Sequence, residues 1–171
     1  MTRESTRPAS IVVFGILHLV FGVFGICGTA AAVATFLVPS STPNPVLEIV
    51  ARSPAFAMYN YASLVLGLLV ALLLIGAGIL LLLGHRLGRT LSNVYAGLAI
   101  FVVVVGGVVN AIFLFGPLLQ MLDTARTPEE VGGAIGGLVG GTVGSVFGLV
   151  YPVVVLFFMN RKALVDHFAA R

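Results

Sequence analysis

Four stretches of the chain, residues 8–47, 53–85, 90–122 and 131–160, contain no Asp, Glu, Lys or Arg and are dominated by apolar side chains. Short polar breaks separate them. Each exceeds the ~20 residues needed to cross the hydrocarbon core of a bilayer. A strand in lipid could satisfy its backbone only within a closed barrel, so the stretches predict helices, over 10–38, 54–83, 91–119 and 131–158. The fold expected is an all-α membrane protein, a four-transmembrane-helix bundle forming a single transmembrane domain over 1–171. The helices are longer than the minimum, which predicts tilt or emergence from the membrane.

The breaks carry boundary chemistry. Thr127-Pro128-Glu129-Glu130 places an N-cap threonine, a proline at the first helical position and a glutamate at the capping-box position, and so starts the fourth helix. Ser53-Pro54 does the same for the second, and Thr90 is a candidate cap for the third. Asn44-Pro45 predicts a short helix through Val50 on the outer surface, flanked by the loop residues Pro39-Ser40-Ser41-Thr42-Pro43.

Composition strengthens the membrane reading. The 171 residues are 59% hydrophobic and only 9% charged, against the ~25% charged residues of a soluble domain. Disorder is excluded by the same excess. A net charge of +3 could suggest nucleic acid, but no Lys/Arg run is present to bind it. The basic residues instead sort by side. Arg3, Arg7, Arg86, Arg89, Arg161, Lys162 and Arg171 fall on one side of the predicted bundle, Arg52 and Arg126 on the other. This bias predicts both termini and the 84–89 loop in the cytoplasm of a bacterium, with the chain in the inner membrane. Glu48, Asp123, Glu129 and Glu130 then face outward. Tyr59, Tyr61 and Tyr95 fit interfacial aromatic belts.

Arg3 and Arg7, an apolar stretch and Ala30-Ala31-Ala32 also resemble a cleavable signal peptide. The apolar stretch continues through Phe36-Leu37-Val38, beyond the ~7–15 residues of such a region, so an uncleaved helix is expected. The single cysteine, Cys27, excludes an intrachain disulfide and is expected to pack as a small hydrophobe.

The fourth helix carries an unusual glycine pattern. Gly132, Gly136, Gly140, Gly144 and Gly148 recur every fourth residue, and Gly133, Gly137, Gly141 and Ser145 form a second row beside them. On a helix these rows are neighbours and make a broad groove without side chains. Glycine costs about 1 kcal/mol per residue against helix formation in water; in lipid an unformed backbone is costlier, and small-xxx-small rows let a second helix approach closely. The partner expected is the third helix of the same chain. The alternative is a second copy or a larger membrane complex, since the segment resembles the glycine-zipper pattern of some membrane channels.

Three of the polar side chains inside the predicted spans, Asn110, His18 and Tyr151, invite a closer reading. Asn110 lies level with Gly141 and Ser145, which predicts an amide bond to Thr142, Ser145 or a bared carbonyl. His18 lies about two turns into the first helix, with Tyr151 at comparable depth as its expected partner. Intramembrane ionisable groups attract functional readings, but a proton relay needs a carboxylate and no span holds one. Pro152 is expected to loosen the fourth helix near Gly148.

No catalytic, cofactor-binding or metal constellation is recognisable. Gly76-Ala77-Gly78 lacks the strand–turn–helix context of a dinucleotide fingerprint, and no lysine follows the glycine pairs to make a phosphate loop. Ser145 lacks a nucleophile elbow. His85 and His167 are isolated. The expectation is no enzyme, no cofactor and no metal, with the lipid bilayer as the immediate partner.

Two stretches carry a resemblance. Arg7-Pro8-Ala9-Ser10-Ile11-Val12-Val13-Phe14-Gly15-Ile16-Leu17, followed by Val20-Phe21-Gly22, is similar to the opening of uncharacterised small bacterial four-span membrane proteins. Gly76-Ala77-Gly78-Ile79-Leu80-Leu81, running into Gly88-Arg89-Thr90-Leu91-Ser92 and Tyr95, resembles their central turn, with Leu87 where an aromatic is frequent. The resemblance implies the topology and no activity. The functional expectation is a structural or accessory subunit; an oligomeric channel or small-solute transporter is the alternative.

Overall fold

The computed structural model describes residues 8–38 and 44–169. Arg3, Arg7 and Arg171 of the basic count, and the loop residues 39–43, lie outside the described residues. The chain runs α1 (Ala9–Leu37), α2 (Pro45–Arg52), α3 (Pro54–Leu82), α4 (Arg86–Asn110), a π-helical segment (Ala111–Phe115), α5 (Gly116–Thr124), α6 (Pro128–Met159) and α7 (Lys162–Ala169). Among the described residues, four helical runs are long and apolar enough to cross a membrane: α1, α3, the unbroken run Arg86–Thr124, and α6. This is a multi-pass, all-helical membrane protein.

The starts of three helices follow from side-chain chemistry. The Asn44 side-chain oxygen accepts from the N–H of Val46 at 3.0 Å and of Leu47 at 3.4 Å, opening α2. Ser53 Oγ accepts from the N–H of Phe56 at 3.3 Å, opening α3. At α6, Thr127 Oγ1 accepts from the Glu130 N–H at 3.3 Å, while Glu130 Oε2 accepts from the N–H groups of Thr127 at 3.4 Å and Arg126 at 2.8 Å. That reciprocal box satisfies donors that a helix start leaves open. Thr127→Ala should lower stability by about 1 kcal/mol, read as a shift in the unfolding midpoint of the purified protein in detergent.

The third span departs from the sequence expectation at both ends. It begins at Arg86 rather than 91, and its cap is His85, whose Nδ1 accepts from the Leu87 N–H at 3.3 Å. Thr90 lies inside the helix. The reason is the tight exit from α3. Gly84 has φ 74°, and the N–H groups of Gly84 and His85 bond the carbonyls of Leu81 and Leu80, both at 2.9 Å. This left-handed glycine stop reverses the chain within three residues. At the far end the helix continues to Thr124 instead of stopping at 119. Pro117 has no N–H for the Phe113 carbonyl and its ring crowds that carbonyl; the wider π turn at Ala111–Phe115 stands immediately before it. By contrast, α6 passes through Pro152 without a break.

The main chains pack in sequence, α1 on α3, α3 on α4, and α4 on α6, whereas α1 and α6 share no comparable main-chain packing. Two separate cores hold the bundle. At the end bearing the α3–α4 turn, Ile11, Leu81, Ala96, Val155 and Met159 are buried with Leu164 and Phe168 of α7. At the opposite end Ile49 and Val50 of α2 join Phe56, Leu114, Leu118 and Ala134, and the Phe56 and Phe113 rings stack at 5.8 Å. The outer surface is apolar along every span. Phe24 is 67% exposed and Phe147 71%, a cost in water that disappears when the solvent is hydrocarbon.

Candidate functional site

Near the α3–α4 turn, three helices contribute to one buried polar chain. His18 of α1 is 0% exposed. Its Nδ1 lies 2.5 Å from the hydroxyl of Tyr151 on α6, and its Nε2 lies 3.0 Å from Ser92 Oγ on α4. Ser92 Oγ in turn lies 2.8 Å from the carbonyl of Gly88, one turn earlier. A carbonyl can only accept, so the single serine hydrogen points at Gly88 and Ser92 Oγ accepts from His18 Nε2–H. His18 is then the Nε2–H tautomer, and its bare Nδ1 accepts from the Tyr151 hydroxyl. Four groups on three helices form a directed chain: Tyr151 O–H to His18, His18 N–H to Ser92, Ser92 O–H to Gly88.

Rings pack around this chain. The imidazole meets Phe14 edge-on at 6.4 Å and Tyr95 at 5.9 Å, and Tyr151 meets Phe21 at 4.4 Å. With little main-chain packing between α1 and α6, these side chains join them, together with Phe14 against Phe158 at 5.2 Å. Glycine allows α1 and α3 to close up behind His18: a methyl group on Gly78 would stand 2.9 Å from both the Gly15 carbonyl oxygen and His18 Cβ. At the membrane end of the same turn, Arg89 Nε donates to the Met159 carbonyl at 2.8 Å, and Asn93 and Asn160 exchange amide hydrogen bonds at 3.4 and 3.2 Å. Arg89 thereby puts positive charge at the C-terminus of α6, where the helix dipole favours it.

No protein-family model, curated protein or solved structure matches the chain.

The two glycine rows of α6 have different surroundings. In the second row, a methyl on Gly133 would stand 3.0 Å from Pro45 of α2, one on Gly137 3.0 Å from Leu118 of α5, and one on Gly141 3.7 Å from Phe115. This row packs on the third span and on α2. In the first row no described residue lies within 4 Å of such a methyl on Gly132, Gly136, Gly140 or Gly144, and among these described neighbours only Val103, 3.2 Å from Gly148, comes close.

Three expectations are corrected. The amide of Asn110 makes no hydrogen bond among the described residues: Thr142 and Ser145 turn their hydroxyls back to the carbonyls of Leu138 and Gly141, at 2.8 and 2.7 Å on their own helix. A hydroxyl on a helix finds that carbonyl one turn back without help from a neighbour. Tyr95 is no belt residue, since it is 6% exposed and packs inside the bundle. Cys27 is exposed on α1 rather than packed. Sequence reasoning also missed Ser92, Asn93 and Asn160 as interhelical contacts. Ser92 and Tyr95 stand three apart and Gly88 four before Ser92, a one-face spacing on a helix that could have revealed them. Among the described residues no three His, Cys, Asp or Glu side chains come together to hold a metal.

Proposed function

We propose that this protein is a non-enzymatic structural or accessory subunit of the bacterial inner membrane, with both termini in the cytoplasm, and that it docks a second copy of itself along the open glycine row of α6. The observation that carries the reading is the contrast between the two rows. One is filled by Pro45, Leu118 and Phe115, while Gly132, Gly136, Gly140 and Gly144 meet no described residue. Helix association in lipid gains little from hydrophobicity and relies on close backbone approach. A side-chain-free row realises that approach most fully against another side-chain-free row, which an isologous pair of identical chains supplies. A glycine-zipper contact of this kind supports assembly and requires no reaction.

The channel or small-solute transporter alternative draws less support. Such pathways are marked by intramembrane ionisable groups facing a cavity, whereas His18 is fully buried and hydrogen-bonded on both ring nitrogens.

Gly140→Leu should convert a dimer into a monomer without lowering the unfolding midpoint, because the position is exposed and a Cβ there meets no described residue within 4 Å. Cross-linking in liposomes gives the assembly state and thermal unfolding in detergent the stability. A wild-type chain that is monomeric in liposomes would sink the proposal. Reporter fusions at the two termini check their cytoplasmic placement independently.

A further inference from the structure

Beside the core at the α3–α4 end the bundle leaves a side-opening cavity. This cavity of about 560 Å³ is lined by Phe14, Phe21 and Gly25 of α1, Ala71 and Leu74 of α3, Tyr95 of α4 and Tyr151 of α6, among others. Its exposed walls are Phe21 on one side and Phe147 and Val150 on the other. The mouth thus lies at the seam where α1 and α6 share little main-chain packing, and it faces the lipid rather than either aqueous side. Its size falls within the range of about 300–1,000 Å³ usual for small-molecule sites.

The cavity has a polar end. Tyr95 is 6% exposed as a whole; its hydroxyl makes no hydrogen bond among the described residues, and its oxygen is not among the atoms that the fold closes off completely. The neighbouring Tyr151 hydroxyl already donates to His18. A phenol O–H left without an acceptor among apolar side chains is costly. Tyr95 stands nine residues after Arg86, which at 1.5 Å per residue is about 13 Å into a helix whose full span exceeds the ~30 Å hydrocarbon core. The lining continues from there through Leu74 and Ala71 to Gly25 and Gly67, toward the middle of the membrane. One donor at the shallow end and a purely apolar run toward the middle match a molecule with an acceptor head and an apolar tail.

We infer that this seam binds a lipid-soluble carbonyl compound, its carbonyl oxygen accepting from Tyr95 O–H and its apolar tail lying along Leu74, Ala71 and Gly25. The carbonyl can belong to a quinone ring or to the acyl ester of a membrane lipid; both present the same acceptor on the same kind of tail. The Tyr151–His18–Ser92 chain positions the Tyr151 ring as one wall of the head pocket. This inference goes beyond the docking reading and does not depend on it, since the open glycines of α6 take no part in the cavity lining.

Native mass spectrometry of the full chain released from detergent, with a short-tailed quinone, a methyl ester of a long-chain fatty acid, or the matching alkane added, tests it. A retained adduct with the quinone or the ester is expected, and the one retained more strongly identifies the carbonyl source. The alkane should be held at least about tenfold more weakly, the loss of one hydrogen bond to a neutral group. Tyr95→Phe should weaken the carbonyl adduct about tenfold. Val150→Phe, which enlarges an exposed wall of the mouth and touches no hydrogen bond, should do so by obstruction and keeps the test open if Tyr95→Phe fails to fold. Retention of neither carbonyl compound, equal retention of the alkane, or adducts untouched by either substitution would overturn the inference. The same spectra report monomer or dimer, so a failure here is distinguishable from a failure of the docking proposal.

Discussion

Gly88→Ala should destabilise the protein by about 3 kcal/mol or more, while Gly140→Ala should leave it unchanged or slightly more stable. Both positions are helical, so both gain the same propensity of about 1 kcal/mol when alanine replaces glycine. Any difference between them therefore reports packing. Gly88 is buried one turn into α4, against the last turn of α3. A methyl group there would stand 2.6 Å from the backbone nitrogen of Leu81, 2.8 Å from the Leu80 carbonyl carbon and 3.0 Å from the Leu81 Cα. All three are main-chain atoms of a helix end already locked by the Gly84 turn, so no rotamer change can make room. The helices must separate instead, and in a close-packed interior separation sacrifices contacts along the whole interface. At Gly140 the same methyl meets no described residue within 4 Å. Unfolding of the two variants in a detergent titration, side by side, decides the matter. Equal midpoints would mean that the α3–α4 contact is softer than its geometry implies. Gly78→Ala forms a useful third case. Its methyl would press on the Gly15 carbonyl oxygen and on His18 Cβ, both at 2.9 Å, and should be nearly as costly as Gly88→Ala.

That contrast also shows where sequence reading reached its limit. Hydrophobic length predicts the four spans, and the caps at Asn44, Ser53 and Thr127 place three helix starts, because both signals are local. The glycine ladder was legible as a groove, again a local property of one helix. Which of its two rows is filled was not legible, since that depends on Pro45, Leu118 and Phe115 arriving from other elements. The same reasoning explains the glycines at 78 and 88. They belong to no repeating pattern, and their importance follows only from the proximity of a second backbone. Pro117 was a missed local signal: its effect on the preceding turn follows from its missing N–H and bulky ring, and it produces the π segment where a plain helix was expected. Asn110 failed for a further reason. Register along neighbouring helices placed it at the right depth, but Thr142 and Ser145 had acceptors nearer at hand on their own helix. His18 and Tyr151 met because depth and chemistry agreed and neither had a local partner. Ser92 carried no expectation and Tyr95 only that of a belt residue, although they complete the polar chain and the cavity head.

His18→Leu should cost about 2–4 kcal/mol and should erase the effect of a second substitution at Tyr151. The imidazole makes two interhelical hydrogen bonds, one to Tyr151 at 2.5 Å and one to Ser92 at 3.0 Å, each worth roughly 0.6–2 kcal/mol in a membrane bundle. Leucine retains most of the volume, so a cavity term is small and the loss is mainly of those bonds. Tyr151 is then left with a hydroxyl among apolar rings and no acceptor, which adds the desolvation cost of an unmade bond. Ser92 suffers less, because its own hydrogen remains on the Gly88 carbonyl at 2.8 Å. In the wild-type chain Tyr151→Phe should therefore cost about 1 kcal/mol. In the His18→Leu background the same change removes a stranded hydroxyl and should be neutral or stabilising. The double-mutant cycle isolates the pair, with a coupling of 1 kcal/mol or more expected for side chains in direct contact. Strict additivity would mean that His18 and Tyr151 are neighbours without a bond. The structural consequence should be local as well: α1 and α6 share no close main-chain packing, so weakening their side-chain link should widen the seam between them before the rest of the bundle responds. Spin labels on exposed Val13 and Val153 would register that widening as a longer distance in His18→Leu, while a pair on α3 and α4 keeps its separation because Gly88 still holds those two helices together.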